Sequence, residues 1–183
     1  MEYVLASASP RRQELIEKIL PCFSIDVPMG EEKCPCDIKA LDRPQYLALN
    51  KAREVVGRHP NSMVIAADTA VFLGEQMLGK PKSREEAYAM LSLLSGKVHT
   101  VVTGCAIMLG DRQDCFSVRT GVEFYELNDQ QINEYLDTNE SMDKAGAYGI
   151  QGKGALLVKG INGDYFNVVG LPVAELARHI SAF

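Results

Sequence analysis

Short β-branched runs alternate with stretches of helical period along the whole chain, which is the pattern of an α/β protein. Residues 3–6 read as a first strand. Ser9-Pro10 then opens a helix, with Ser9 at the N-cap, Pro10 at N1, and Leu15, Ile16 and Ile19 on the apolar face. A second strand is predicted over 23–27 and a loop over 31–41. Pro44 starts a second helix to about His59, with Ala48, Ala52, Val55 and Val56 as its stripe. A buried strand over 63–67 runs into Asp68-Thr69, and 70–73 with 77–78 form a hairpin around Gly74-Glu75.

Ser83-x-x-Glu86 is a capping box for a helix to about Ser95, with Ala87, Met90, Leu91 and Leu94 inward and Gly96 as its stop. Two long strands, Val98–Leu109 and 113–124, join at Gly110-Asp111-Arg112. Asn128, boxed with Gln131, caps a helix containing Ile132, Tyr135 and Leu136. Beyond a Gly-rich loop, 155–161 and Tyr165–Val169 are predicted to pair as a hairpin on Asn162-Gly163. Pro172 opens the last helix, with Val173, Leu176, Ala177 and Ile180 facing in. Three hairpin-like connections require a mixed sheet, with the 98–124 ribbon as its spine.

At 183 residues, 46% hydrophobic and 23% charged, the chain has ordinary globular composition and suits one domain, or two small lobes sharing a core. The longest run without a formal charge, 98–110, is thirteen residues, too short to span a bilayer. The start Met1-Glu2-Tyr3-Val4 carries no basic region ahead of an apolar one, so no signal peptide is read and a cytoplasmic protein is expected. A net charge of −5 argues against binding a nucleic-acid polymer, although local cations can still hold an anionic small molecule. Five cysteines, an odd number without an export signal, should remain reduced. Cys34-Pro35-Cys36 lacks the spacing of a zinc site and reads as surface loop.

Four places carry candidate chemistry. Ser7-Ala8-Ser9-Pro10-Arg11-Arg12 puts two hydroxyls and two guanidiniums at a helix N-terminus, where free N–H groups favour phosphate; a plain capped helix with solvated arginines is the alternative. Asp68-Thr69 leaves a buried strand, so Asp68 suits a general base or metal ligand, or else a turn aspartate bonding its own backbone. Lys51 and Lys80 are isolated lysines, and Glu31-Glu32 sits in a loop; taken singly, each reads as solvated surface charge before it reads as a ligand. Lys144 to Gly152 is rich in glycine, which permits close backbone approach to a ligand, with Ile150 and Gln151 presenting an apolar wall and an amide. The histidines at 59, 99 and 179 are scattered, with no Ser/His/Asp or zinc-hydrolase pattern, and His59 and His179 fall near helix C-termini.

Taken in order, Leu5-Ala6-Ser7-Ala8-Ser9-Pro10-Arg11-Arg12, Ala67-Asp68-Thr69, Gly79-Lys80-Pro81 and Lys144-Ala145-Gly146-Ala147-Tyr148-Gly149-Ile150-Gln151-Gly152 resemble the Maf family of nucleoside triphosphate pyrophosphatases. Asn162-Gly163-Asp164-Tyr165 and Val169-Gly170-Leu171-Pro172 resemble it as well, so the likeness runs from about residue 3 to 173. It implies a single domain over 1–183 with a mixed, twisted α/β sheet flanked by helices, and two lobes around a cleft, as in inosine triphosphate pyrophosphatases. It also implies metal-dependent cleavage between the α- and β-phosphates of a nucleoside triphosphate, with Mg²⁺ or Mn²⁺ as the divalent cation. By motif position Asp68 is then the proton acceptor, and Ser7, Arg11, Arg12, Lys51 and Lys80 contact phosphate. Glu32 is the metal-side acid, with Glu31 the neighbouring choice.

Arg12, Thr69 and Gln151 match the branch of the family that acts on dTTP and UTP. The same chemistry on another base, such as 7-methyl-GTP, is the nearest alternative, and a nucleotide-binding regulator of cell division is one of a different class. Membrane partners are not expected, and a homodimer is left open.

Overall fold

The computed structural model describes residues 1–30 and 33–183. Seven strands form one mixed sheet: β1 (Tyr3–Leu5), β2 (Ser24–Ile25), β3 (Met63–Leu73), β4 (Gln76–Leu78), β5 (Val98–Leu109), β6 (Arg112–Phe124) and β7 (Val158–Asn162). Their order is β2-β1-β3-β5-β6-β7, with β4 paired to β3. β1 runs parallel to both β2 and β3, whereas β3–β4 and β6–β7 are antiparallel. The helices are α1 (Pro10–Ile16), α2 (Arg43–Val56), α3 (Arg84–Leu94), α4 (Asp129–Leu136), α5 (Tyr165–Val169) and α6 (Val173–Ala182). None among the described residues is long and apolar enough to cross a membrane.

The chain divides into two compact units, and β3, β5 and β6 each contribute residues to both. The first comprises 1–69, 103–118 and 170–183. Its core packs the Ala48, Ala52 and Val55 stripe of α2 against Val4, Val64, Ala66 and Ala106 of the strands. The helix approaches β5 so closely that a Cβ on Gly104 would lie 2.2 Å from the Gln45 backbone nitrogen, so only glycine fits there. The second unit, 70–102 and 119–169, builds its core from Leu91 and Leu94 of α3, Ile132 and Tyr135 of α4, and Val101, Val122 and Phe124 of the sheet.

Several local expectations are corrected. β3 is one unbroken strand through Asp68 and Thr69, because cross-strand pairing, not side-chain polarity, decides where it continues. β2 is only two residues long, since Pro28 cannot donate to a ladder and both strand residues lie exposed at the sheet edge. α2 stops at Val56 instead of His59, because Gly57 follows and favours release from the helix. Ile19 falls beyond α1, and Leu20 is buried in that region. Ser9 occupies the α1 N-cap without a side-chain cap bond; the Ser7 hydroxyl instead accepts the Ser9 N–H at 3.2 Å. At α3 half the expected box forms: Ser83 accepts the Glu86 N–H, while the Glu86 carboxylate takes the Lys82 N–H at 2.7 Å.

The largest correction concerns Tyr165–Val169, which is the helix α5 and not the second strand of a hairpin. The Asp164 carboxylate accepts the Phe166 N–H at 2.8 Å, starting a turn of helix. The buried Asn167 amide then donates to the Val101 carbonyl at 3.1 Å and to the Thr120 hydroxyl at 2.9 Å. β7 pairs with β6, so the mixed sheet survives without that third hairpin.

Polar contacts secure the short β2 edge. The Asp26 carboxylate receives Nε and Nη2 of Arg58, both at 2.8 Å, and Nε2 of His59 at 2.8 Å. Glu54 takes the Met29 and Gly30 N–H groups at 2.7 and 3.1 Å. Hydrogen bonding from Arg58 holds the Asp26 pKa down at about 2, against 3.8 ordinarily. A depressed carboxylate contributes stability above its unfolded value, and that contribution is lost as pH falls through the folded one. Wild type should therefore be more stable than Asp26→Asn at neutral pH, with the gap closing between pH 3.8 and about 2 in urea-unfolding midpoints. A gap that persists at the acid end would show that Asp26 acts there without its charge.

Candidate active site

The first unit brings most of the predicted residues into two bonded groups. Arg12, on the first turn of α1, donates from Nε to the Gly170 carbonyl at 2.9 Å and from Nη2 to the Thr69 hydroxyl at 3.0 Å. Its Nη1 reaches the buried Ser7 hydroxyl at 3.4 Å. Thr69 is in turn 2.9 Å from the hydroxyl of Thr103, which is fully buried on β5. The guanidinium is thus held on two sides by fixed oxygens, and its orientation is set before any ligand arrives. Arg11 precedes it on the same turn.

The second group joins α2 to β3. Lys51 Nζ lies 2.6 Å from Asp68 Oδ1, with the two side chains only 14% and 16% exposed. Lys51 is therefore not a solvated surface lysine. A carboxylate and an ammonium held on rigid elements and screened from most solvent form a poised charge pair, which an incoming anion can rearrange. The Cys105 thiol on β5 is pushed up to about 12 by burial, so it stays protonated and is no nucleophile.

Lys80 and Gln151 stand in the second unit. Lys80 is exposed, just after β4. Its neighbour Gly79 accepts the Gly146 N–H through its carbonyl at 3.0 Å, which ties the Gly79-Lys80-Pro81 segment to the loop that carries Gln151. In that loop the Tyr148 hydroxyl is 2.7 Å from Nε2 of the buried His99, and the Tyr135 hydroxyl accepts the Gly149 N–H at 3.2 Å. Burial brings the His99 pKa down to about 4, so the imidazole is neutral near pH 7. The rings of His99, Phe124 and Tyr148 meet edge to face, packing this part of the loop into the core. Glu32, the expected metal-side acid, and Glu31 lie outside the described residues.

Among the described residues no group of three or more His, Cys, Asp or Glu side chains is placed to hold a metal ion. A Mg²⁺-like ion shared with a nucleotide needs only one or two carboxylates besides phosphate oxygens. Among the described residues that hold Arg12 and Thr69, Thr103 was not singled out in the sequence, and Gly170 entered only within the Val169-Gly170-Leu171-Pro172 block. The one available signal for Thr103 is a hydroxyl within the apolar run of β5.

The family described as Maf-like protein matches residues 2–183. A protein of Bacillus cytotoxicus named dTTP/UTP pyrophosphatase is 47% identical over 182 residues, covering 100% of this chain and 95% of its own. One of the same name from Bacillus pumilus is 44% identical over 184 residues, covering 100% and 96%. Among solved structures, a HAM1 protein from Coxiella burnetii covers 100% of both chains with a TM-score of 0.56 at 14% identity. The Ham1 protein of Staphylococcus aureus covers 69% of this chain and 73% of its own, with a TM-score of 0.52 at 18% identity. These two share the fold, a mixed sheet flanked by helices.

Proposed function

The chain belongs to the Maf-like protein family, and from that membership we propose that it hydrolyses dTTP and UTP to the nucleoside monophosphate and pyrophosphate. The observation that carries this reading is identity of 44 to 47% across the whole chain to proteins named for that activity.

A triphosphate brings about four negative charges to an acidic protein, so binding depends on local cations. Arg12, pre-oriented by Gly170 and Thr69, presents a fork suited to phosphate oxygens, with Arg11, Ser7 and Lys80 as further contacts. Phosphate also competes with Asp68 for the Lys51 ammonium. As Lys51 turns to the substrate, Asp68 is released to accept the proton of the attacking water. A divalent cation, Mg²⁺ or Mn²⁺, would be held by Glu32 with phosphate oxygens, and supplies neutralisation of charge on the triphosphate.

Gln151 is assigned to the base. Uracil and thymine present N3–H beside O4, and one amide satisfies both through its oxygen and its NH₂. Cytosine offers the reverse order, so an amide fixed in orientation discriminates against it. Unpaired buried polar groups cost about 1–3 kcal/mol each, which corresponds to a preference of roughly 10- to 100-fold.

The test is pyrophosphate release from dTTP, UTP, CTP and 7-methyl-GTP with Mg²⁺ or Mn²⁺ present. Rapid turnover of the first two is expected, and Gln151→Ala should slow both and narrow their advantage over CTP. Tight binding of dTTP without turnover would replace the enzyme by a nucleotide-binding regulator. An unchanged ratio in Gln151→Ala would place base reading elsewhere.

A further inference from the structure

The segment carrying Gln151 is anchored on both sides, and the second anchor is a carboxylate for which the reaction has no direct use. Ahead of Gln151, Gly149 is bonded to the Tyr135 hydroxyl and Tyr148 to His99. Behind it, both carboxylate oxygens of Glu140 lie within reach of the Lys153 N–H, at 3.1 and 3.3 Å. Between them stands Gly152, with φ +66°, where a Cβ would lie 2.8 and 2.9 Å from those same oxygens. A side chain at 152 would thus be strained in its backbone and would also displace the carboxylate.

Glu140 is itself fixed from behind. Its N–H donates to the Thr138 hydroxyl at 3.2 Å, and that hydroxyl donates to the Tyr135 carbonyl at 2.6 Å, closing the turn after α4. Its carbonyl accepts Lys144 Nζ at 2.5 Å, while the Lys144 stem lies against Gly149. Tyr135 therefore supports the loop twice, through its own hydroxyl and through the turn that presents Glu140.

We propose that Glu140 is a positioning residue for base recognition: by gripping the Lys153 N–H across Gly152, its carboxylate sets the path of the backbone that presents the Gln151 amide. This rests on the reading of Gln151 as the group that meets the base. A carboxylate accepting a backbone N–H makes a stronger bond than a neutral acceptor, and it sits two residues from the amide whose orientation matters. A fixed amide tells uracil from cytosine, whereas one free to turn accepts either. Glu140 consequently acts on the choice among bases, with the chemistry at the α-phosphate left to other groups.

The experiment measures kcat and KM of the full-length protein for dTTP, UTP and CTP, alongside thermal unfolding. Glu140→Ala should raise KM for dTTP and UTP so that their advantage over CTP shrinks by about tenfold, with kcat changed much less. Glu140→Gln keeps an oxygen that can accept the Lys153 N–H and should restore most of the advantage. If Glu140→Ala does not fold, Glu140→Asp withdraws the carboxylate by one methylene and should show the same narrowing. A folded Glu140→Ala or Glu140→Asp protein with the wild-type ratio overturns the proposal, as does a fall in kcat equal for all three nucleotides. A wild-type protein without preference over CTP overturns the reading of Gln151, and the proposal falls with it.

Discussion

Asp68→Asn should lower kcat for dTTP and UTP by about 10²- to 10⁴-fold, the usual range for loss of a general base. The substitution is nearly isosteric, so the shape of β3 is kept. It also removes one partner of the Lys51–Asp68 pair, whose side chains are 14% and 16% exposed. Leaving that ammonium against a neutral amide should cost about 1–3 kcal/mol of stability. A domain with roughly 5–15 kcal/mol in hand remains folded after such a loss. Activity is therefore compared well below the unfolding temperature of the variant, where both proteins are native. The affinity for dTTP should change less than kcat, because the cations that bind phosphate are retained. Wild-type turnover in a folded Asp68→Asn protein would remove Asp68 from proton transfer and leave it as the tether of Lys51.

The sequence was most readable where a feature is local. β5 occupies Val98–Leu109 as expected, because an apolar run between Lys97 and Gly110 marks both ends. The Asn128–Gln131 box forms with both of its bonds, since all four groups lie within one turn. Features that depend on distant partners were hidden. The Asn162-Gly163 pair looked like a hairpin turn, yet α5 follows, and the groups that hold Asn167 are Val101 and Thr120, far back in the chain. Lys51 looked solvated because its partner is 17 positions away on another element. The ordered motifs named the candidate residues without giving the bonds among them. Nothing local marks Thr103 as the group behind Thr69, or Glu140 as the group behind Gln151.

Those bonds set the second large effect, at Arg12. Arg12→Lys should reduce kcat/KM for dTTP and UTP by about 10²-fold or more, and Arg12→Ala should be only a few-fold worse. The charge survives in lysine, so simple attraction to the triphosphate survives too. What disappears is the planar fork. Arg12 spends Nε on the Gly170 carbonyl at 2.9 Å and Nη2 on Thr69 at 3.0 Å, and these bonds lock the plane presented to phosphate. A lysine ammonium has one nitrogen and cannot hold Gly170, hold Thr69 and meet a phosphate oxygen in the same geometry. A hydrogen bond to a charged group is worth about 1.5–3 kcal/mol, and each 1.4 kcal/mol is tenfold, so one misplaced phosphate contact accounts for about 10- to 100-fold. The freed Thr69 and Ser7 hydroxyls then turn toward new partners, which adds to the loss. Unfolding should shift little by comparison, since the site is partly exposed. Steady-state kinetics on both variants decide the matter. An Arg12→Lys protein with near wild-type kcat/KM would mean that position 12 contributes charge alone, and that the bonds to Gly170 and Thr69 do not orient it for the substrate.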